Sequence, residues 1–103
     1  MNLAGDTKSF NNLGRMEGLM GEIGTIVTEV AAEVERATHL WGPHNSAHEG
    51  FAVILEEMDE LKVHVWTNQK KRDIVAMRKE AIQVAAMAVR FVLDVCNEER
   101  GRR

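Results

Sequence analysis

The sequence predicts an all-α chain: three main helices forming a helical bundle, completed by oligomerisation. Three observations carry this. Apolar residues recur at helical spacing in three separate windows, and the breaks between the windows hold stop and cap residues. The composition is also short of strand formers, with one proline, no tyrosine and 5% aromatics in 103 residues, which is poor material for a β-sandwich. Hydrophobic residues at 45% and charged residues at 28% exclude a disordered chain. A formal charge of −3 gives no global reason to expect a nucleic-acid polymer as partner. The single cysteine excludes an internal disulfide framework and suits a reducing compartment.

Residues 1–20 read as a flexible N-terminal arm and 21–103 as one helical domain. Gly5, Gly14, Gly18, Gly21 and Gly24 crowd the start of the chain, and glycine costs about 1 kcal/mol against alanine inside a helix. From Ile23 a helical period takes over through Ile26, Val27, Val30, Ala31, Val34 and Ala37. Gly42-Pro43 should end that helix near Leu40. Ser46-Ala47-His48-Glu49 has the pattern of a capping box. The helix it opens should run to about Trp66, with Phe51, Ile54, Met58, Leu61 and Val65 as its apolar face. Residues 67–72 are a polar, basic loop. Asp73 is the expected N-cap of a third helix reaching about Asn97. Cys96 lies among Val92, Leu93 and Val95 and is expected to be a buried, inert thiol. The longest unbroken apolar run, Val84 to Val89, is far below the roughly 20 residues of a membrane span. No apolar leader follows a basic start. A cytoplasmic protein without a membrane segment is the expectation.

Two features carry chemistry. Four acids occupy five positions in Glu56-Glu57-Met58-Asp59-Glu60. Glu57 and Glu60 lie about 60° apart on one side of the helix, and Glu57 borders the apolar face. Such a patch is either solvated or aimed at a hard cation that takes oxygen ligands. In the third helix Glu80, Gln83, Met87, Arg90, Asp94 and Asn97 share an arc about 100° wide, and every other residue from Glu80 to Asn97 is apolar. A narrow polar stripe on a nearly all-apolar helix either faces water, with Arg90 and Asp94 pairing, or meets buried partners.

Glu56-Glu57-x-x-Glu60 followed by Glu80-x-x-Gln83 resembles the E-E-x-x-E and E-x-x-D motifs of the MazG-like all-α nucleoside triphosphate pyrophosphohydrolases. Glu35-Arg36-Ala37, Trp41-Gly42, Asn45-Ser46-Ala47-His48 and Glu80-Ala81-Ile82-Gln83-Val84-Ala85-Ala86 are similar, in order, to a small phage and bacterial branch of that family. The resemblance covers about residues 29–97. It implies Mg²⁺-dependent hydrolysis of an NTP or dNTP to the monophosphate and pyrophosphate, with Mn²⁺ as a substitute ion. It further implies Glu57, Glu60 and Glu80 as metal ligands, and Glu56 as a supporting group or base. Gln83 stands where the motif has aspartate and is the candidate fourth ligand, through its carbonyl. Trp41 or Trp66 would stack on the base, while Asn45 and His48 would touch substrate. Cations for the phosphates would come from Lys70, Lys71, Arg72, Lys79, Arg90 or the tail arginines Arg100, Arg102 and Arg103; Lys79 and Arg90 are the favoured pair. The alternative is a non-catalytic helical oligomer on the same scaffold that binds a nucleotide or protein and has lost turnover through Gln83. A homodimer or higher assembly is expected in either case.

Overall fold

The structure, a computed structural model, describes residues 3–96, with side chains from Asn12 onward. Asn97 and the tail arginines lie outside the described residues. The fold is all-α, with helices α1 (Leu3–Trp41), α2 (Ala47–Val65) and α3 (Ile74–Val95). The helical period of Ile23–Ala37 extends further upstream than expected. Residues 3–20, read from the sequence as an arm, form the first half of α1, which is 39 residues long. The sequence does hold a reason. Leu13, Met16, Met20, Ile23, Val27, Val30, Val34 and Ala37 alternate at three- and four-residue steps, the spacing of one unbroken helical seam. Below the glycines, the hydroxyls of Thr25 and Thr28 donate to the carbonyls of Gly21 and Gly24 at 3.1 and 2.8 Å.

The helix boundaries follow local chemistry. Gly42 takes φ +68°, and its N–H donates to Thr38 O at 3.0 Å. That left-handed turn suits glycine, and Pro43 cannot continue the helix. Ser46 caps α2 by accepting the Glu49 N–H at 3.1 Å. The Glu49 carboxylate reaches back to the N–H of Asn45 at 3.3 Å, one residue earlier than a regular capping box. After a short 3-10 turn at Gln69–Lys71, Asp73 caps α3 by accepting the Ala76 N–H at 3.0 Å. Arg72 Nη2 donates to Val65 O at 2.7 Å and closes the loop onto the end of α2.

α3 packs along α2 and along the C-terminal part of α1. The core is thin: Ala37, Ala86 and Met87, with Val30, Val34, Val53 and Ile54 around them. The radius of gyration is 18.8 Å, against about 13 Å for a compact chain of this length. Five of the eight seam residues of α1 have no cover among the described residues, since Leu13, Met16, Met20, Ile23 and Val27 are all exposed. On α2 the inward side carries Val53, Ile54 and Glu57, while Phe51 and Met58 of the expected apolar face are exposed.

α3 is turned polar side in. Arg90 is 2% exposed, Met87 is buried, and Glu80, Gln83 and Asp94 are half-buried. Val89, Val92 and Leu93 face outward. The stripe therefore meets partners rather than water. Asp94 Oδ2 accepts the His44 N–H at 3.0 Å, and Arg90 donates to the Gly42 carbonyl, tying α3 to the end of α1. The same rotation corrects the expectation for Cys96. It lies on the side of α3 opposite the stripe, at the end of the helix, and is exposed. No helix among the described residues is long and apolar enough to cross a membrane.

Gly50 marks the closest approach of α2 to its surroundings. A Cβ there would lie 2.7 Å from Phe91 Cδ2 and 3.1 Å from His44 Nδ1. Gly50→Ala should therefore destabilise by about 1–3 kcal/mol through overpacking, despite a helix-propensity gain of about 1 kcal/mol. The check is the urea midpoint; one equal to or above wild type would refute the tight contact.

Candidate functional site

Two adjacent turns of α2 and the first half of α3 bring the predicted acids together. One carboxylate oxygen from each of Glu57, Glu60 and Glu80 falls within 4.8 Å of the others. The i,i+3 spacing sets Glu57 and Glu60 on one side of α2, and the inward rotation of α3 delivers Glu80 to them. Glu57 and Glu80 are half-buried, whereas Glu60 is exposed. Crowding has the expected electrostatic result. Glu57 is pushed up to about 7, first by desolvation, then by the Glu60 charge and a hydrogen bond shared with Glu60. Glu80 is also raised, by desolvation and by its own hydrogen bond and repulsion with Glu60; His64 and Lys79 pull it the other way. His64, one turn after Glu60 on α2, thus stands near the cluster.

Gln83 completes the group, with its amide group directed at the acids. In the orientation that satisfies its neighbours, its NH₂ donates to Glu80 Oε2 at 2.9 Å and to Glu57 Oε2 at 3.0 Å. Either way round, the amide lies within hydrogen-bond distance of both acids, so the Gln83 side chain belongs to the cluster. Three carboxylates in one place, sharing hydrogen bonds and holding a proton near neutrality, are a donor set suited to a hard divalent cation.

Beside the cluster lies a cleft of about 390 Å³. Glu57, Gln83 and Glu56 line one end, and Trp41, Gly42, His44 and Arg90 line the other. Between them the walls are Ala37, Val53 and Met87. Trp41 is 78% exposed, while His44 is only 7% exposed. Arg90 reaches the Gly42 carbonyl and, at 3.6 Å, Met87 Sδ, but its Nε and both ring nitrogens of His44 are buried without a hydrogen-bond partner. Unpartnered buried polar groups cost about 1–3 kcal/mol each. Desolvation, then the Arg90 charge, holds His44 below its usual range, with Asp94 and Glu49 opposing. Glu33 and Arg36 also line the cleft and pair at 2.9 Å. That hydrogen bond, opposed by desolvation, lowers Glu33.

Of the substrate residues expected from the sequence, Trp41 and Arg90 line this cleft, and Asn45 and His48 do not. Lys79 lines a second hollow on the other side of Gln83, together with Glu29, Glu33 and Arg78. Arg78 is committed to Glu29 at 2.6 Å. Trp66 stands apart under Lys62, whose Nζ is 5.8 Å from the ring. His44, Glu33 and Arg36 are cleft residues that the sequence reading missed. His44 could not be found by spacing, because it arrives from a loop against residues 46 and 50 positions away. The Glu33–Arg36 i,i+3 pair carried a local signal. No family model, no curated protein and no solved structure matches the chain.

Proposed function

We propose that the protein is a Mg²⁺-dependent nucleoside triphosphate pyrophosphohydrolase of the MazG-like kind. The observation that carries this is the convergence of Glu57, Glu60 and Glu80 at one end of a cleft whose other end holds Trp41 and Arg90. Glu57, Glu60 and Glu80 would hold the divalent ion, Mg²⁺ with Mn²⁺ as substitute. That ion, when bound, polarises the phosphate and lowers the pKa of water. The chain's own groups do the rest. Gln83, its amide beside Glu57 and Glu80, is the candidate fourth ligand through its carbonyl. Glu56, exposed on the cleft wall, accepts a proton from the attacking water. The water oxygen bonds to the α-phosphorus, the bond from that phosphorus to the α–β bridging oxygen breaks, and pyrophosphate departs. Trp41 stacks on the base with Arg90 at the same end of the cleft, and Arg36 and Lys79 offset phosphate charge from the two hollows flanking Gln83.

Gln83 also favours the second reading, a helical oligomer that binds a nucleotide without turning it over. A neutral amide donating to two carboxylates replaces the fourth charge of the motif. Pyrophosphate release from a panel of NTPs and dNTPs, with Mg²⁺ and with excess EDTA, decides between the two. Metal-dependent release supports the hydrolase; no release from any of them leaves the binder.

Assembly belongs to the same proposal. The α1 seam that forms the core at Val30, Val34 and Ala37 continues uncovered through Val27 to Leu13, and the outward face of α3 is apolar. Contiguous exposed apolar surface of this kind marks an interaction site, and a second copy offers the same faces. Sedimentation at micromolar concentration should show no major monomer; a single monomeric species would remove the oligomer from the proposal.

A further inference from the structure

α1 is far longer than the helices it packs with. Its 39 residues span about 58 Å, against about 30 Å for α2 and for α3. The tie points say which part projects. Glu29 pairs with Arg78, Gly42 with Arg90 and His44 with Asp94, about 50 residues apart in each case. α3 therefore runs parallel to α1 and begins level with about Thr25. Upstream of the tied part, every residue from Asn12 to Thr28 is exposed.

The exposed stretch is nevertheless patterned as an interior. Leu13, Met16, Met20, Ile23 and Val27 continue in register the seam that packs on the core at Val30, Val34 and Ala37. Leu19 and Ile26 widen it on one flank, and Gly14, Gly18 and Gly21 leave the opposite side bare. A seam of this repeat is matched by a helix with the same repeat, and α1 of a second copy is such a helix. Seven side chains about half exposed amount to roughly 600 Å² per chain, or about 1,200 Å² for a pair, which reaches the size of a specific interface.

The direction of pairing follows from α3. On each chain α3 occupies the seam from about Val30 onward. Parallel arms would bring both α3 helices onto one seam at one level and force the arms apart. Antiparallel arms, with a two-fold axis near Met20, leave the bundles at opposite ends. Leu13 of the partner subunit then comes level with Val27 and the first turn of α3, where Ile74 and Val75 are 61% and 80% exposed. These two residues line the second hollow, which Lys79 and Gln83 also line.

We propose that residues 13–27 dock antiparallel on the same segment of a second copy, and that the partner's arm covers Ile74 and Val75 and walls the hollow beside Gln83. The proposal deepens the assembly part of the functional reading and rests on it, but not on turnover.

The native thiol supplies the test. Cys96 is exposed at the end of α3, about 40 Å beyond Met20 along the helix axis. Spin labels on Cys96 of the dimer should therefore lie about 80 Å apart; a parallel pair would put them at one end of the assembly, at roughly half that distance. With Cys96→Ser, a label on Gly21→Cys, where a Cβ meets no other atom, should report about 20–30 Å across the paired arms. Short separations at both positions overturn the direction. A dimer with Gly21→Cys labels beyond about 50 Å overturns the docking face, since paired arms about 10 Å wide cannot hold them that far apart. A monomer overturns the proposal and removes the assembly from the functional reading as well. Val75→Asp should weaken self-association at least about tenfold by burying a charge in the interface, whereas Val92→Asp, on the outward face of α3, should leave it within about twofold. The reverse order overturns the proposal. Pyrophosphate release is scored separately. The expected distances without release remove the hydrolase alone, and release with the wrong distances removes the docking alone.

Discussion

Glu57→Ala should lower metal-dependent pyrophosphate release by at least about a hundredfold while leaving the fold intact. Among the described residues, Glu57 is the one carboxylate that both belongs to the acid cluster and lines the cleft. Losing it takes away an ion ligand and the acceptor of the Gln83 amide together. Interactions at the ion carry through to the rate-determining barrier, so kcat should fall more than KM rises. Stability should move the opposite way. In metal-free buffer the variant should melt no lower than wild type, because one of three crowded like charges is gone. Pyrophosphate release above a tenth of the wild-type rate would end the assignment of Glu57. A lower melt in metal-free buffer would show that the carboxylate is held by favourable contacts rather than crowded by like charge.

The second large effect is on pH dependence. Glu57 titrates near 7 in the fold against an ordinary value of 4.5, and Glu80 is shifted in the same direction. Below about pH 4.5 folded and unfolded chains are both protonated at these groups, and the shift has no cost. Between about 4.5 and 7 the fold keeps a proton that the unfolded chain has released, so stability falls as pH rises, and the loss is complete above Glu57's folded value. Glu33, lowered by Arg36, acts with the opposite sign and below that window, since its contribution is lost only as the solution becomes acid. Melting temperature in EDTA should therefore decline from pH 5 to pH 8. Millimolar Mg²⁺ should raise it far more at pH 8 than at pH 5, because the ion competes with the proton for the same oxygens. Glu57→Gln should flatten the decline. A melting temperature that climbs from pH 5 to 8 without metal, or a Mg²⁺ effect independent of pH, would contradict the crowded-carboxylate description.

Local chemistry was legible in the sequence, and orientation was not. Gly42, Ser46 and Asp73 act within a few residues of themselves, so the helix limits they set could be read directly. The spacing of Glu57 and Glu60 placed two acids on one side of α2. Glu80 and Gln83 had a shared face, yet nothing in α3 alone says which of its faces turns inward. That choice depends on Gly42 and His44 offering a carbonyl and an amide N–H to Arg90 and Asp94 from about 50 residues away. Cys96 was misplaced for the same reason. In the first half of α1 two local signals conflict: the glycines argue against a helix and the seam of Leu13, Met16 and Met20 argues for one, and propensity is the weaker guide when an apolar period is present. The acid cluster, by contrast, needed only helical spacing and a short connection.

The uneven cover of α1 divides one helix into two regimes of backbone protection. From Val30 to Ala37 its amides sit against α3 and the core, so they exchange with solvent only when the packed unit opens. From Leu13 to Val27 the side chains are exposed within the chain, and four glycines weaken the helix. An uncovered helix of that length is marginal in water, so its amides exchange by fraying, without global opening. Deuterium uptake should therefore step sharply near Val27 in dilute protein. The step should shrink as concentration rises, which makes the backbone of α1 a direct gauge of how much of the seam is covered by another molecule.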